Sequence, residues 1–341
     1  MKREMKKLSI LLVICLLGSF TFAQGDDVRG PISYPAPGVM DGVYMESSIP
    51  TKKVIPYEFV READVTWSKK VWRVIDLREK FNHPLYYPLD DLQLGLWKKN
   101  TTRWSLWTII RHHVMTGDLT LYSPMNPTWE QWRDGDLFKY PITSNTAGGN
   151  YYNDKDLRER MFVYIGTESE DFFAQPLRSF IYPDEDSTIT DPITGEVSAV
   201  YPPADTTWFK SEDIIQYKIK EQWFFDKERS VMECRILGIA PVVYQKNKEG
   251  NITGFRELFW LYFPQCRYVF QNFFVHSATN DAQRMSFDDL FWKRKFNSYI
   301  VKESNLYDRD IDSYKAGVDA LLESNKIKVD IFNFEHDLWS F

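Results

Sequence analysis

Two stretches, residues 230–244 and 255–270, are crowded with β-branched and aromatic side chains. Between them lies Lys246-Asn247-Lys248-Glu249-Gly250-Asn251, a short polar segment with turn residues. Strand-forming runs on either side of such a segment predict a long β-hairpin. A hairpin cannot stand alone in water and must bury one face. The chain is therefore committed to an antiparallel sheet that something else covers. If the turn centres on Gly250, residues whose numbers sum to 500 oppose one another, and Cys234 and Cys266 satisfy this. Opposed side chains lie roughly 4.5–5.5 Å apart, so a cross-strand disulfide is open to them. A shift of one residue in the turn removes the opposition and leaves two unbridged, half-buried thiols.

The covering layer should be helical. Over 61–80, Trp67, Val71 and Val74 recur at three and four with Ile75 beside them, predicting an amphipathic helix that ends before Pro84. Trp67 and Trp72 on this stretch are the candidate interface aromatics. Over 102–115, Trp104, Trp107, Ile110 and Val114 predict a second helix, with Gly117 as its stop. Residues 120–151 are turn-rich. Met161 to Ile165 reads as a buried strand. Residues 184–203 are a polar excursion. Ser211, with Glu212 and Asp213 behind it, reads as the N-cap of a helix over 211–227. Ser286 and Asp289 are spaced as a cap pair for a helix over 286–302, and a short helix over 314–325 ends the pattern. The expected fold class is α+β: an antiparallel sheet centred on the hairpin at about 230–270, packed by amphipathic helices.

The N-terminus carries different information. Lys2, Arg3, Lys6 and Lys7 precede an apolar run from Leu8 to Phe22 that closes on Thr21-Phe22-Ala23. This is the pattern of a secretory signal peptide, over residues 1–23, cut between Ala23 and Gln24. Cys15 is not placed for lipidation, because Ile14 precedes it and it sits inside the apolar run. Residues 24–56 are rich in Gly, Pro, Ser and Asp without period, and read as an extended N-terminal arm, a linker or a docking segment. Residues 57–341 read as the globular part, either one region or two dividing near 205. No other segment approaches the roughly 18 apolar residues of a helical span.

The leader holds four basic residues and one acidic, so its loss takes the formal charge from −6 to −9. An acidic chain with interspersed signs offers nucleic acid no binding surface. Twelve Trp, 19 Tyr and 24 Phe are many for 341 residues. Tyr and Trp are enriched at protein interfaces and serve sugar-binding surfaces too. Three classes thus stay in view: an assembly protein, a carbohydrate- or peptidoglycan-binding protein, and a secreted hydrolase resting on paired carboxylates. The sequence holds no G-x-S-x-G, H-E-x-x-H, phosphate-loop or G-x-G-x-x-G motif. His112 and His113 are adjacent, so on a helix they diverge by about 100° and chelate poorly together. No catalytic residue, metal site or cofactor is expected.

Three stretches carry a resemblance. The first is Arg61-Glu-Ala-Asp-Val-Thr-Trp-Ser-Lys-Lys-Val-Trp-Arg-Val-Ile-Asp-Leu-Arg-Glu-Lys-Phe-Asn-His-Pro-Leu-Tyr-Tyr-Pro88. The second is Arg235-Ile-Leu-Gly-Ile-Ala-Pro241, and the third Leu258-Phe-Trp-Leu-Tyr-Phe-Pro-Gln-Cys-Arg267 followed by Phe287-Asp-Asp-Leu-Phe-Trp-Lys-Arg-Lys-Phe296. Together, over about 57–311, they resemble the GldN/PorN family of gliding-motility and type IX secretion proteins of Bacteroidetes. The resemblance implies a periplasmic structural protein peripheral to the inner face of the outer membrane. It would self-associate in a ring, bind a GldK/PorK-like outer-membrane lipoprotein, and couple to GldL/GldM-like motor and shaft proteins. It carries no catalytic motif to transfer.

Overall fold

The computed structural model describes residues 53–89, 91–93, 96–98, 103–128, 133–168, 188–190, 197–199, 206–247, 251–277, 280 and 285–337. The stretches read as leader (1–23) and, nearly whole, as arm (24–56), and most of 184–203, lie outside them. The centre of the fold is an eight-stranded antiparallel sheet. Its strands are β1 (Val65–Asp76), β2 (Leu121–Tyr122), β3 (Pro141–Ile142), β4 (Ile214–Asp226), β5 (Val231–Lys246), β6 (Ile252–Glu257), β7 (Trp260–Tyr262) and β8 (Tyr299–Glu303). They run in the order β8-β1-β4-β5-β7-β2-β3, with β6 also paired to β5. Six helices are described: α1 (His83–Tyr86), α2 (Leu106–Thr116), α3 (Lys155–Ile165), α4 (Phe263–Phe270), α5 (Phe287–Trp292) and α6 (Val318–Asp337). The α+β expectation holds.

The sheet is wider than the sequence pattern suggested, because two segments read as helices are its longest strands beside β5. Within 61–80 the chain forms a 3-10 turn, Glu62–Asp64, followed by β1, and within 211–227 a 3-10 turn, Ser211–Asp213, followed by β4. In β1 the last six residues are buried on both faces, which erases the alternation that marks a strand. The spacing of Trp67, Val71 and Val74 then imitates a helix. β4 alternates only in part: Ile215, Tyr217, Ile219, Trp223 and Phe225 share one parity with Glu221 among them, and Gln216, Lys218, Lys220 and Gln222 share the other with Ile214 and Phe224. The acidic residues after Ser211 masked this, since they imitate a helix start.

The β5–β6 hairpin is present, but its second arm is short. Tyr244 pairs with Phe255, and Val242 with Glu257. The ladder breaks at Leu258, resumes as Gly238 with Tyr262, and gives way to α4. Cys266 therefore sits on a helix, and Cys234 faces Trp223 across β4–β5. Both thiols are free, and the two cysteines do not oppose each other. Among the described residues the longest hairpin is β4–β5, turning at Lys227 to Ser230.

Two further segments correct the reading. Residues 155–165 are helix rather than buried strand: the Asp154 side chain accepts from Leu157 N–H at 3.2 Å, and Leu157, Met161 and Ile165 lie on one helical face. Ser286 does cap α5, accepting from Asp289 N–H at 3.1 Å, but the helix stops at Trp292 and β8 follows. The helix over 102–115 holds as α2, capped by Ser105 and closed by Gly117 at φ 88°, which glycine adopts freely.

The odd-numbered side chains of β1 and β4 face the helices. Ile75, Tyr217, Ile219, Ile236 and Ile239 join Trp107, Ile110, Phe263 and Phe270 in the main core. A satellite core of Val71, Ile300, Ile311, Ile327 and Ile331 lies beneath α6. On the other face, Trp72, Ala240 and Trp260 pack under Phe138, delivered by the 3-10 turn Gly135–Leu137. The edge strand β8 is guarded: Ile300 N–H donates to Ser324 Oγ of α6 at 2.9 Å, which removes one open donor.

At the end of β1, Arg78 Nε donates to Asp76 Oδ1 at 3.0 Å and Asp76 also accepts from Arg78 N–H at 2.9 Å. The guanidinium beside it holds the Asp76 carboxyl below the ordinary aspartate range. A carboxylate so depressed adds stability above the unfolded value, near pH 4 (about 3.9), and loses it as pH falls through the lower folded value. Asp76→Asn should therefore destabilise at neutral pH, with the gap to wild type closing in strong acid. Urea midpoints across pH check this; a gap unchanged from neutral to strongly acidic pH would refute it.

Candidate interaction site

The main groove, about 470 Å³, opens between the β4–β5 hairpin and helices α4 and α5. Residues just before β1 lie in it. Arg267 is its centre. Burial of the α4 face leaves this guanidinium 2% exposed, and Asp288 of α5 holds it in a fork at 2.8 and 3.3 Å. Its carbon sits 4.4 Å from the Tyr57 ring centre and 4.8 Å from that of Trp292. The two rings also stack on each other at 5.6 Å. Arg235 of β5 approaches the Tyr57 ring at 4.9 Å. Tyr57 is thus held by two cations and an indole, a contact worth more as water is excluded. Burial pushes its phenol up. Beside it Glu58 pairs with Arg229 at 2.8 Å, and Arg61 with Glu228 at 3.6 Å, so the hairpin tip is tied to the same segment.

Beneath the groove a charge cluster is buried in the sheet face. Glu221 is fully buried, with Arg294 Nη2 at 2.9 Å and Arg73 Nη1 at 3.9 Å. Trp223 Nε1 donates to it at 3.2 Å. Cys234 Sγ is 3.6 Å from the carboxylate, and burial, with the nearby anion, pushes its thiol well up. Such a thiol is a poor nucleophile. Burial likewise pushes up Cys266. Among the described residues no group of three or more His, Cys, Asp and Glu is placed to hold a metal ion, and no helix is long and apolar enough to cross a membrane.

Neither candidate interface aromatic lies in the groove. Trp67 is half-buried and stacks on Phe334 of α6 at 4.6 Å. Trp72 is 6% exposed and belongs to the opposite face, where its Nε1 donates to Asp136 at 3.1 Å and the Lys302 ammonium lies 4.7 Å from its ring. It is a core residue, because the 135–138 turn folds over it. The groove residues Tyr57, Arg267 and Trp292 carry no individual mark in the sequence; Arg267 and Trp292 do stand within the stretches that carried the resemblance.

Fold and groove together define a class: an α+β protein built on an antiparallel sheet, with an aromatic–arginine groove that clasps an extended segment of its own chain. The model of one family, described as gliding motility associated protein GldN, matches residues 60–340. The chain belongs to the GldN family, and so to the gliding-motility-associated proteins. A comparison with curated proteins finds no match.

Proposed function

We propose that this chain is a non-catalytic structural subunit of a periplasmic ring in the type IX secretion and gliding motility machinery. It is exported by its leader and held at the inner face of the outer membrane by a GldK/PorK-like lipoprotein, and it transmits contact to GldL/GldM-like motor and shaft proteins. The observation that carries the reading is family membership across residues 60–340. The leader pattern over residues 1–23 supports export, and a ring requires head-to-tail contacts through two different patches on each subunit. The groove supports it as well, since a domain that grips the chain entering it can direct an arm toward a neighbour.

Co-purification from envelope membranes, with a tag after Phe341 and mass spectrometry of the co-purifying proteins, tests the proposal. A lipoprotein and motor-shaft proteins in one megadalton-sized peak are expected. A lone monomer in the soluble periplasmic fraction would overturn it and favour the carbohydrate- or peptidoglycan-binding reading.

A further inference from the structure

Helix α6 has two apolar stripes. Ala320, Ser324, Ile327, Ile331 and Phe334, spaced four, three, four and three, face the sheet, where Ile327 and Ile331 join the satellite core and Phe334 stacks on Trp67. Val318, Leu322, Asn325, Val329 and Phe332 repeat the same spacing two residues out of step, which on a helix is the nearly opposite side. This second stripe meets solvent: Val318, Leu322, Val329 and Phe332 are 43–71% exposed, and Leu321 beside them is 58% exposed. Alternating spacings of three and four are the pattern of a helix that packs along another helix. The inner stripe already serves the sheet, so the outer one is free for a second helix.

The charges beside the outer stripe indicate which helix. Asp319 and Lys326 are exposed, lie on the same flank one heptad apart, and are opposite in sign. Neither pairs with another described residue. A second copy of α6 laid antiparallel, with Val318 against its Val329 and Leu322 against its Asn325, brings Asp319 against Lys326 twice by symmetry. Sliding the pair one heptad toward the C-terminus instead sets Lys326 against Lys326 and Lys328 against Lys328. A parallel pair sets Asp319 against no cation. Asn325 within the stripe adds a polar group that favours one register over its neighbours.

We infer that the outer face of α6 is a two-fold contact between copies of this chain, with the helices antiparallel and the Asp319–Lys326 pair made twice. A two-fold contact is distinct from the head-to-tail contacts that close a ring, so the inference does not rest on the ring reading. It needs only the purified protein.

Sedimentation equilibrium of the purified protein, without partners, tests it. A concentration-dependent dimer is expected. L322D should abolish it. D319K and K326D should each weaken it by about tenfold, because each loses two ion pairs and sets two like charges together. The double variant D319K/K326D should return to within about threefold of wild type, since the pairs are remade with signs exchanged. All these side chains are exposed, so the thermal midpoints should stay near wild type and separate failed association from failed folding. A strict monomer would overturn the inference, as would a dimer indifferent to L322D. Single variants that weaken association without rescue by the double would overturn it too.

Discussion

Glu221→Ala should lower the unfolding free energy by about 3–5 kcal/mol, the range for breaking a buried charge pair from one side. The carboxylate is fully buried and, among the described residues, is the only one paired with Arg73 and Arg294. Alanine leaves two guanidiniums under the sheet face. Arg73 keeps Ser298 Oγ at 3.0 Å, and Arg294, about a third exposed, keeps the Cys234 sulfur at 3.2 Å and the faces of Trp223 and Phe296 at 5.4 Å. The Trp223 indole N–H also loses its acceptor. The double variant Glu221→Leu/Arg294→Leu should be less destabilised than Glu221→Ala, since one stranded cation leaves with the anion and apolar volume replaces both. Urea unfolding measures both variants. A shift under about 1 kcal/mol for Glu221→Ala would mean that water enters the cluster and solvates the arginines.

Gly135→Ala should be nearly as costly, about 3 kcal/mol or more, although it adds one methyl group. A Cβ at this position would lie 2.2 Å from the Ser123 carbonyl oxygen and 2.4 Å from Pro124 Cα. Both are backbone atoms, so no rotamer change relieves the clash and the 135–137 turn must move. That turn carries Asp136, whose carboxylate and carbonyl oxygens accept from Lys220 Nζ at 2.9 and 2.8 Å. Lys220 is 3% exposed, and burial already pulls its ammonium below the ordinary lysine value despite the Asp136 anion. Moving the turn strands this cation and uncovers Trp72 and Trp260, which Phe138 shields. Thermal unfolding, with tryptophan fluorescence reporting on Trp72 and Trp260, checks the result. A variant with unchanged midpoint and emission would show that the turn yields without disturbing the sheet face.

The two variants probe opposite faces of β1 and β4. Glu221 and Arg73 stand on the helix side; Lys220 and Trp72, their sequence neighbours, stand on the loop side. Both faces of one strand pair thus hold a buried ion pair. This explains why the pattern of residues 214–226 is hard to read. Alternation is only partial, and charged residues occupy buried positions on both sides, so apolarity does not mark the inside. Tertiary partners make those positions tolerable, and partners far away in the chain leave no local trace.

The groove was illegible for a related reason. Tyr57 comes from the segment just before β1, Arg235 from β5, Arg267 from α4 and Trp292 from α5. No spacing rule links four residues on four separate segments. The cysteines, left open between a bridge and two free thiols, turned on a simpler matter. Their opposition assumed a hairpin arm continuing to residue 270, and Leu258 to Phe263 instead turn the chain into a helix that buries Cys266 in the main core.

Contiguous residues were enough to set the α+β class, the β5–β6 pairing, the α2 and α5 starts at Ser105 and Ser286, and the family. Each is written locally: β-branched runs beside a polar turn, a hydroxyl before a helical period, long particular stretches. Long-range packing was needed to make 65–76 and 214–226 strands, to bury Trp72 as a core residue, and to set Arg267 at the centre of a groove. In those cases the deciding energy lies in contacts between distant segments, and burial on both faces removes the alternation by which a strand is otherwise known.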